Sequence, residues 1–253
     1  MQGAIIHPPC VNHSTYLTNI YGKDVYLGFV HIYSLERKVA YAIVEERQRR
    51  GPYQSLDGFV RRIDISKEQL EILIRINALR FTGLNKYELM WEKNAVHNPK
   101  IKLSSTGSFF DVDGEHFSLP SLQEGRYEQA FDEIELLGFP LCSPLELMAT
   151  NHQEDILAAE MKHHVGHSVH MIGYYVTRKN VTTVNKKLMN FGTWLDRKGA
   201  FFDTTHFPPS LTKSPFKGPG LYYLKGKIVE DFGFPSMEVI RMEKIPYVKD
   251  ERY

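Results

Sequence analysis

Only two cysteines, Cys10 and Cys142, stand among the 253 residues. That is too few for a disulfide framework and points to a reducing cytoplasm. No apolar run approaches the roughly 18 residues that would cross a bilayer, and the first residues lack the pattern of a secretory signal, so no membrane role is expected. A Gly-x-x-x-x-Gly-Lys phosphate loop is missing too. The spacing of Asp111-Val112-Asp113 would suit a pair of metal-holding carboxylates, but it lies in a polar stretch rather than at a strand end. These absences leave an ordinary water-soluble composition, 42% hydrophobic and 24% charged.

What is present is a segregation of charge behind a net of only +1. Residues 1–100 carry 14 Lys/Arg against 10 Asp/Glu, residues 101–160 carry 2 against 12, and residues 166–253 carry 14 against 8. Two basic modules joined by an acidic connector would produce this pattern in a protein with anionic partners; charges decorating solvated faces would produce it too.

The first module reads as short helices. After a strand-like "DVYLGFVHI" (24–32), residues 34–53 have Leu35, Val39, Ala42 and Ile43 on one helical face, with Ser34 as N-cap and Gly51-Pro52 as the stop. Residues 55–63 and 66–76 are expected as helices opened by Ser55 and Ser66, and a further helix runs from about 82 to 91. Asn77 follows the third, a residue that tolerates the left-handed conformation. From 98 to 128 periodicity is lost among Ser, Gly, Pro and acids, as in a linker. Within it, Phe109 and Phe110 form an apolar pair that wants a pocket.

The second module is rich in strand signals at 169–178, 188–195, 200–206, 220–230 and 234–243, with a one-turn helix near Ser210. Five strands in that arrangement are the order of an OB-fold barrel. Such barrels hold single strands with basic loops and stacking rings. The candidates are Arg178, Lys179, Lys186, Lys187, Arg197 and Lys198, with Tyr174, Trp194, Phe202 and His206 as rings. Alternation along a strand sends about half of such rings into the core.

Arg47, Gly51, Pro52, Tyr53, Ser55, Leu56 and Phe59 match a pattern of the bacterial DNA polymerase III alpha subunit, in its tandem helix-hairpin-helix region. "EIELLGFPLCSP" resembles the helix end that leads into that family's last domain. "DTTHFPPSL" and "LKGKIVEDFGFPSMEV" resemble its carboxy-terminal barrel. The resemblance implies a multidomain α+β chain: a helix-hairpin-helix module at 1–95, an acidic linker at 96–130, connecting helices at 131–165 and an OB-fold at 166–253.

It also implies DNA contacts. Hairpins of this kind offer backbone N–H groups to phosphates. Ile76, Asn77 and Ala78 of the second hairpin are the preferred candidates, with Ser34 and Lys38 of the first secondary. The family's glycines are replaced at the first hairpin by Ser34-Leu35-Glu36, which suggests a relic. Thr106, Phe109 and Phe110 resemble a sliding-clamp peptide, although Thr106 stands where glutamine is usual. In the family, the magnesium ions of nucleotidyl transfer are held by palm aspartates upstream of these regions. The expectation is therefore a fragment or split-off carboxy part, without catalysis or a cofactor of its own, whose partners are double- and single-stranded DNA, the clamp and the rest of the polymerase holoenzyme. The alternatives are a free-standing nucleic-acid-binding accessory protein and a metal enzyme built on His7, Cys10 and His13 or on His163, His164, His167 and His170.

Overall fold

The computed structural model describes residues 3–96, 124–150, 155–184 and 186–252. Its contacts divide the chain into two units, residues 1–141 together with 250–253, and residues 142–249.

In the first unit, strands β1 (Ile5–His7), β2 (Asn19–Tyr21) and β3 (Asp24–Tyr26) form a small sheet in the order β1-β3-β2. The expected strand at 24–32 stops early. Gly28 lies against the backbone of Leu17, where a Cβ would come within 2.4 Å of a carbonyl carbon, and a 3-10 turn follows at Phe29–His31. Helices α1 (Arg37–Arg50), α2 (Leu56–Arg62), α3 (Lys67–Arg75) and α4 (Lys86–Val96) come next. Ser55 and Ser66 cap α2 and α3 as expected, accepting from the Gly58 and Gln69 N–H groups. Ser34 does not cap α1; Glu36 holds the N-cap position, because Ser34 adopts a left-handed φ of 62° two residues earlier. Helix α4 begins at Lys86 rather than near 82. Gly83 turns the chain at φ 73°, and Asn85 and Glu88 then exchange side-chain bonds with each other's N–H.

The residues that carry the family pattern are structural. Arg47 donates to the Val11 and Ser14 carbonyls at 2.6 and 2.9 Å. Gly51 ends α1, Tyr53 donates its hydroxyl to the Ile43 carbonyl, and Leu56 and Phe59 are core. Arg62 lies 4.3 Å from the Tyr53 ring centroid while donating to the Gly51 carbonyl.

Helix α5 (Glu128–Leu137) also belongs to this unit. Its Leu136 and Leu137 join the core, and its fully buried Asp132 meets Arg75, Lys86 and Arg252. The expected connector at 131–165 is therefore not a module of its own. Paired charges and leucines fix 131–141 among the helices, whereas 142–165 goes with the second unit. Residues 97–123, most of the expected linker, lie outside the described residues and take Thr106, Phe109 and Phe110 with them.

The second unit is a closed five-stranded barrel in the order β4-β5-β6-β8-β7, with β4 Ser168–Thr182, β5 Leu188–Leu195, β6 Phe201–His206, β7 Leu221–Asp231 and β8 Phe234–Lys244. Short helix α6 (Pro208–Lys213) separates the third and fourth strands. Closure comes from parallel pairing of β6 with β8. This is the OB-fold connectivity. Met171, Trp194, Phe202, Leu224, Ile228, Met237 and Val239 fill the interior.

Candidate nucleic-acid interface

Both hairpin tips of the helical unit carry a non-glycine residue at positive φ, Ser34 at 62° and Asn77 at 58°. Their backbone donors differ. At the second tip, Asn77 N–H bonds the Ile74 carbonyl and Ala78 N–H bonds the Leu73 carbonyl, each at 2.9 Å, while Ile76 N–H bonds the Ile72 carbonyl at 3.1 Å. This is the Schellman closure of α3. All three donors that the sequence offers to phosphate at Ile76, Asn77 and Ala78 are thus committed within the protein.

At the first tip, the buried Gln69 side chain of α3 reaches across. Its Nε2 donates to the Ser34 carbonyl at 2.9 Å, and its Oε1 accepts from the Glu36 N–H at 2.7 Å. Ser34 is thereby held in the conformation a glycine would adopt. No side chain caps α1; the Val39 and Ala40 N–H groups bond the Glu36 carbonyl, which leaves the N–H groups of the exposed Arg37 and Lys38 as the donors of the first turn without a backbone partner. The Glu36 carboxylate pairs with Lys38 at 2.9 Å, which offsets its charge at the tip. At the first tip the Leu35 N–H bonds the Ile32 carbonyl and the Glu36 N–H bonds Gln69, so Arg37 and Lys38 carry its uncommitted donors, whereas the three candidates at the second tip are all committed. Gln69 escaped the sequence reading because a glutamine on an apolar helix face gives no local sign of its partner.

In the barrel the ring candidates are corrected. Trp194, Phe202 and His206 point inward. The Trp194 Nε1–H donates to Thr204 Oγ1 at 2.7 Å, and that hydroxyl sits 2.8 Å from His206 Nε2. Burial, with Arg178 nearby, lowers the His206 pKa from 6.5 to about 4. Tyr174 is half-buried against Ile172, Leu221 and Ile245, and burial raises its pKa. Register explains the error. Trp194 pairs with Phe202 and Gly192 with Thr204 on the inner face, so the intervening residues face out. The exposed rings on β5 and β6 are instead Phe191 and Phe201, 43% and 62% accessible. The signal lay in "AFFDTTH", where the first phenylalanine of the pair is the outward one.

The basic candidates divide. Lys179, Lys186, Lys187 and Lys198 are exposed, and Lys179 stands opposite Phe191 across the β4–β5 pair. Arg178 is exposed with its guanidinium 4.8 Å from the Phe216 ring centroid. Arg197 is tied to the buried Asp155 at 2.8 Å, which gives it a structural role.

Among the described residues no group of three or more His, Cys, Asp or Glu side chains could hold a metal ion. Cys10 Sγ and His13 Nδ1 lie 3.3 Å apart, but His7 stacks on the Tyr26 ring and bonds Asp24. No helix among the described residues is long and apolar enough to cross a membrane.

The family described as the helix-hairpin-helix motif matches residues 3–89. The error-prone DNA polymerase of Mycobacterium tuberculosis is 33% identical over 98 residues, 37% of this chain and 9% of that protein. The DNA polymerase III subunit alpha of Thermus aquaticus is 34% identical over 84 residues, 32% of this chain and 7% of that protein. The matched part is thus about a tenth or less of these relatives. Among solved structures, the S. cerevisiae mitochondrial single-stranded DNA binding protein Rim1 has a TM-score of 0.27 at 12% identity, covering 31% of this chain and 93% of its own. Replication protein A of U. maydis bound to ssDNA has a TM-score of 0.26 at 16% identity, covering 40% and 82%. At that level of agreement they add nothing to the barrel topology. Where sequence identity is substantial, the chain resembles the helix-hairpin-helix part of DNA polymerase III alpha subunits and error-prone DNA polymerases.

Proposed function

We propose that this chain is a DNA-binding part of a DNA polymerase III alpha-type polymerase. The observation that carries the reading is the helix-hairpin-helix match at 3–89 together with the first tip, where Gln69 holds Ser34 left-handed and the Arg37 and Lys38 N–H groups have no backbone partner. In this reading the tip takes a duplex phosphate through backbone N–H groups, aided by Arg37 and Lys38. The outer face of β5 and β6 takes single-stranded template, with bases on Phe191 and Phe201 and phosphates near Lys179, Lys186 and Lys187. Bond-making and its magnesium ions belong to the palm portion of such polymerases.

The test is titration of labelled duplex and single-stranded DNA with the full chain in dilute buffer. Both are expected to bind, with affinity falling steeply as salt rises. Absence of binding to either DNA sinks the reading. The peptide 106–112 is the proposed sliding-clamp contact. Substituting both Phe109 and Phe110 by Ala is expected to abolish clamp binding, and undiminished clamp affinity would dismiss that part alone.

A further inference from the structure

On the side of the barrel formed by β4, β7 and β8, the outward residues set cations shoulder to shoulder. His170 pairs with Lys225, and Lys225 pairs with Arg241, in one cross-strand row. Like charges directly opposite on adjacent strands are destabilising. Among the described residues Lys225 makes no ion pair, and Lys227 stands exposed two residues further along the same strand. Diagonal to the row, the His170 and Tyr223 rings stack with centroids 5.1 Å apart and planes within 3°. His170, Tyr223, Lys225, Arg241 and Glu243 together line a hollow of about 290 Å³.

We propose that this hollow holds one nucleotide of a single DNA strand, its base against the His170–Tyr223 stack and its phosphate between Lys225 and Arg241. Two observations point to the two halves of that ligand. Lys225 lies opposite Arg241 and, because the Glu243 carboxylate pairs with Arg241, it is the cation of the row left without an ion pair among the described residues, and such local conflicts concentrate at functional sites. The His170 ring stacked on Tyr223 beside it is a two-ring stack that one base can extend. Glu243 sets the polarity: its carboxylate pairs with Arg241 and repels phosphate, so the phosphate lies toward Lys225 and the base edge toward Glu243. The proposal rests on the single-strand reading of the barrel but uses a different face from β5 and β6.

The experiment is a salt series of oligothymidylate binding to the full chain, wild type against Lys225→Ala/Arg241→Ala and against Tyr223→Leu, with thermal melts of each. Loss of this one phosphate contact is expected to lower the slope of log affinity against log salt by about 0.7. Tyr223→Leu is expected to weaken binding about ten-fold, one stacked base's worth. Lys225→Thr is expected to raise the melting temperature while lowering affinity, which a purely structural lysine would not do. Wild-type binding whose affinity and slope are unchanged in the double variant overturns this site and leaves the β5–β6 face standing. No binding by wild type removes the single-strand reading and this site with it. Thymidine monophosphate binding that is sensitive to the variants, beside oligomer binding that is not, makes the ligand a free nucleotide and overturns the strand.

Discussion

In the helical unit Asp132 is fully buried among Arg75, Lys86 and Arg252, and Arg47, Arg62 and Arg80 donate to backbone carbonyls. In the barrel Lys179, Lys186, Lys187, Lys225 and Lys227 stand exposed on strands and loops. Net charge counted along the sequence, +4 for residues 1–100 and +6 for residues 166–253, makes these two stretches look alike. The structure does not. One unit turns Arg47, Arg62, Arg75, Arg80, Lys86 and Arg252 inward to fix its own helices, while Arg37, Lys38, Arg49, Arg50, Arg61 and Lys67 stay exposed on them. The other leaves its lysines to the solvent.

The largest expected effect tests the inward half of this contrast. Asp132→Ala leaves three cations around a vacated site, and removing one partner of a buried ionic cluster typically costs about 3–5 kcal/mol. Denaturant unfolding of the full chain should show the loss in the helical unit; a change under about 1 kcal/mol would mean that the cluster is solvated.

The barrel's inward half is read by pH. Burial keeps His206 neutral down to about pH 4, whereas in the unfolded chain it takes up its proton near the ordinary 6.5. The unfolded state binds more protons between those values, so stability is full above pH 6.5 and falls as pH drops toward 4, by up to about 3 kcal/mol. Melts at pH 7 and pH 5 should differ in the wild type and converge in His206→Gln; an equal drop in both would assign the effect to other groups.

Gln69→Ala sharpens the difference between the two hairpin tips. It removes two hydrogen bonds that hold the first, an effect of about 1–3 kcal/mol on stability. Duplex DNA affinity should fall several-fold while single-strand affinity holds. Equal loss on both DNAs would disconnect the tip from the duplex. Smallest are Ser34→Gly and Asn77→Gly, each relieving a left-handed side-chain residue and stabilising by up to about 1 kcal/mol. A destabilised Ser34→Gly would mean that the serine side chain itself holds the tip.

The sequence carried the barrel well because alternation and turn residues act locally. Leu188–Leu195 falls where the pattern puts it, and the other strand bounds shift by only a few residues. It carried the serine caps of α2 and α3 for the same reason. It did not carry which rings face outward, since a one-residue choice of phase exchanges Phe201 for Phe202. Nor did it carry the placement of α5, whose acidic face reads as solvated until Arg75, Lys86 and Arg252 are brought to it from distant positions. The row of Lys225 beside Arg241 was hidden by an irregularity: the β7–β8 register shifts at Lys225/Gly226, and counting along the chain misaligns the two strands.

Arg252 belongs with residues 1–141 although the whole barrel lies between them in the chain. A ribosome therefore finishes residues 142–249 before it delivers the last of the three cations that Asp132 meets. The earlier-made helices meanwhile hold Asp132 with Arg75 and Lys86 alone. Vectorial order and structural completion run in opposite directions in this polypeptide.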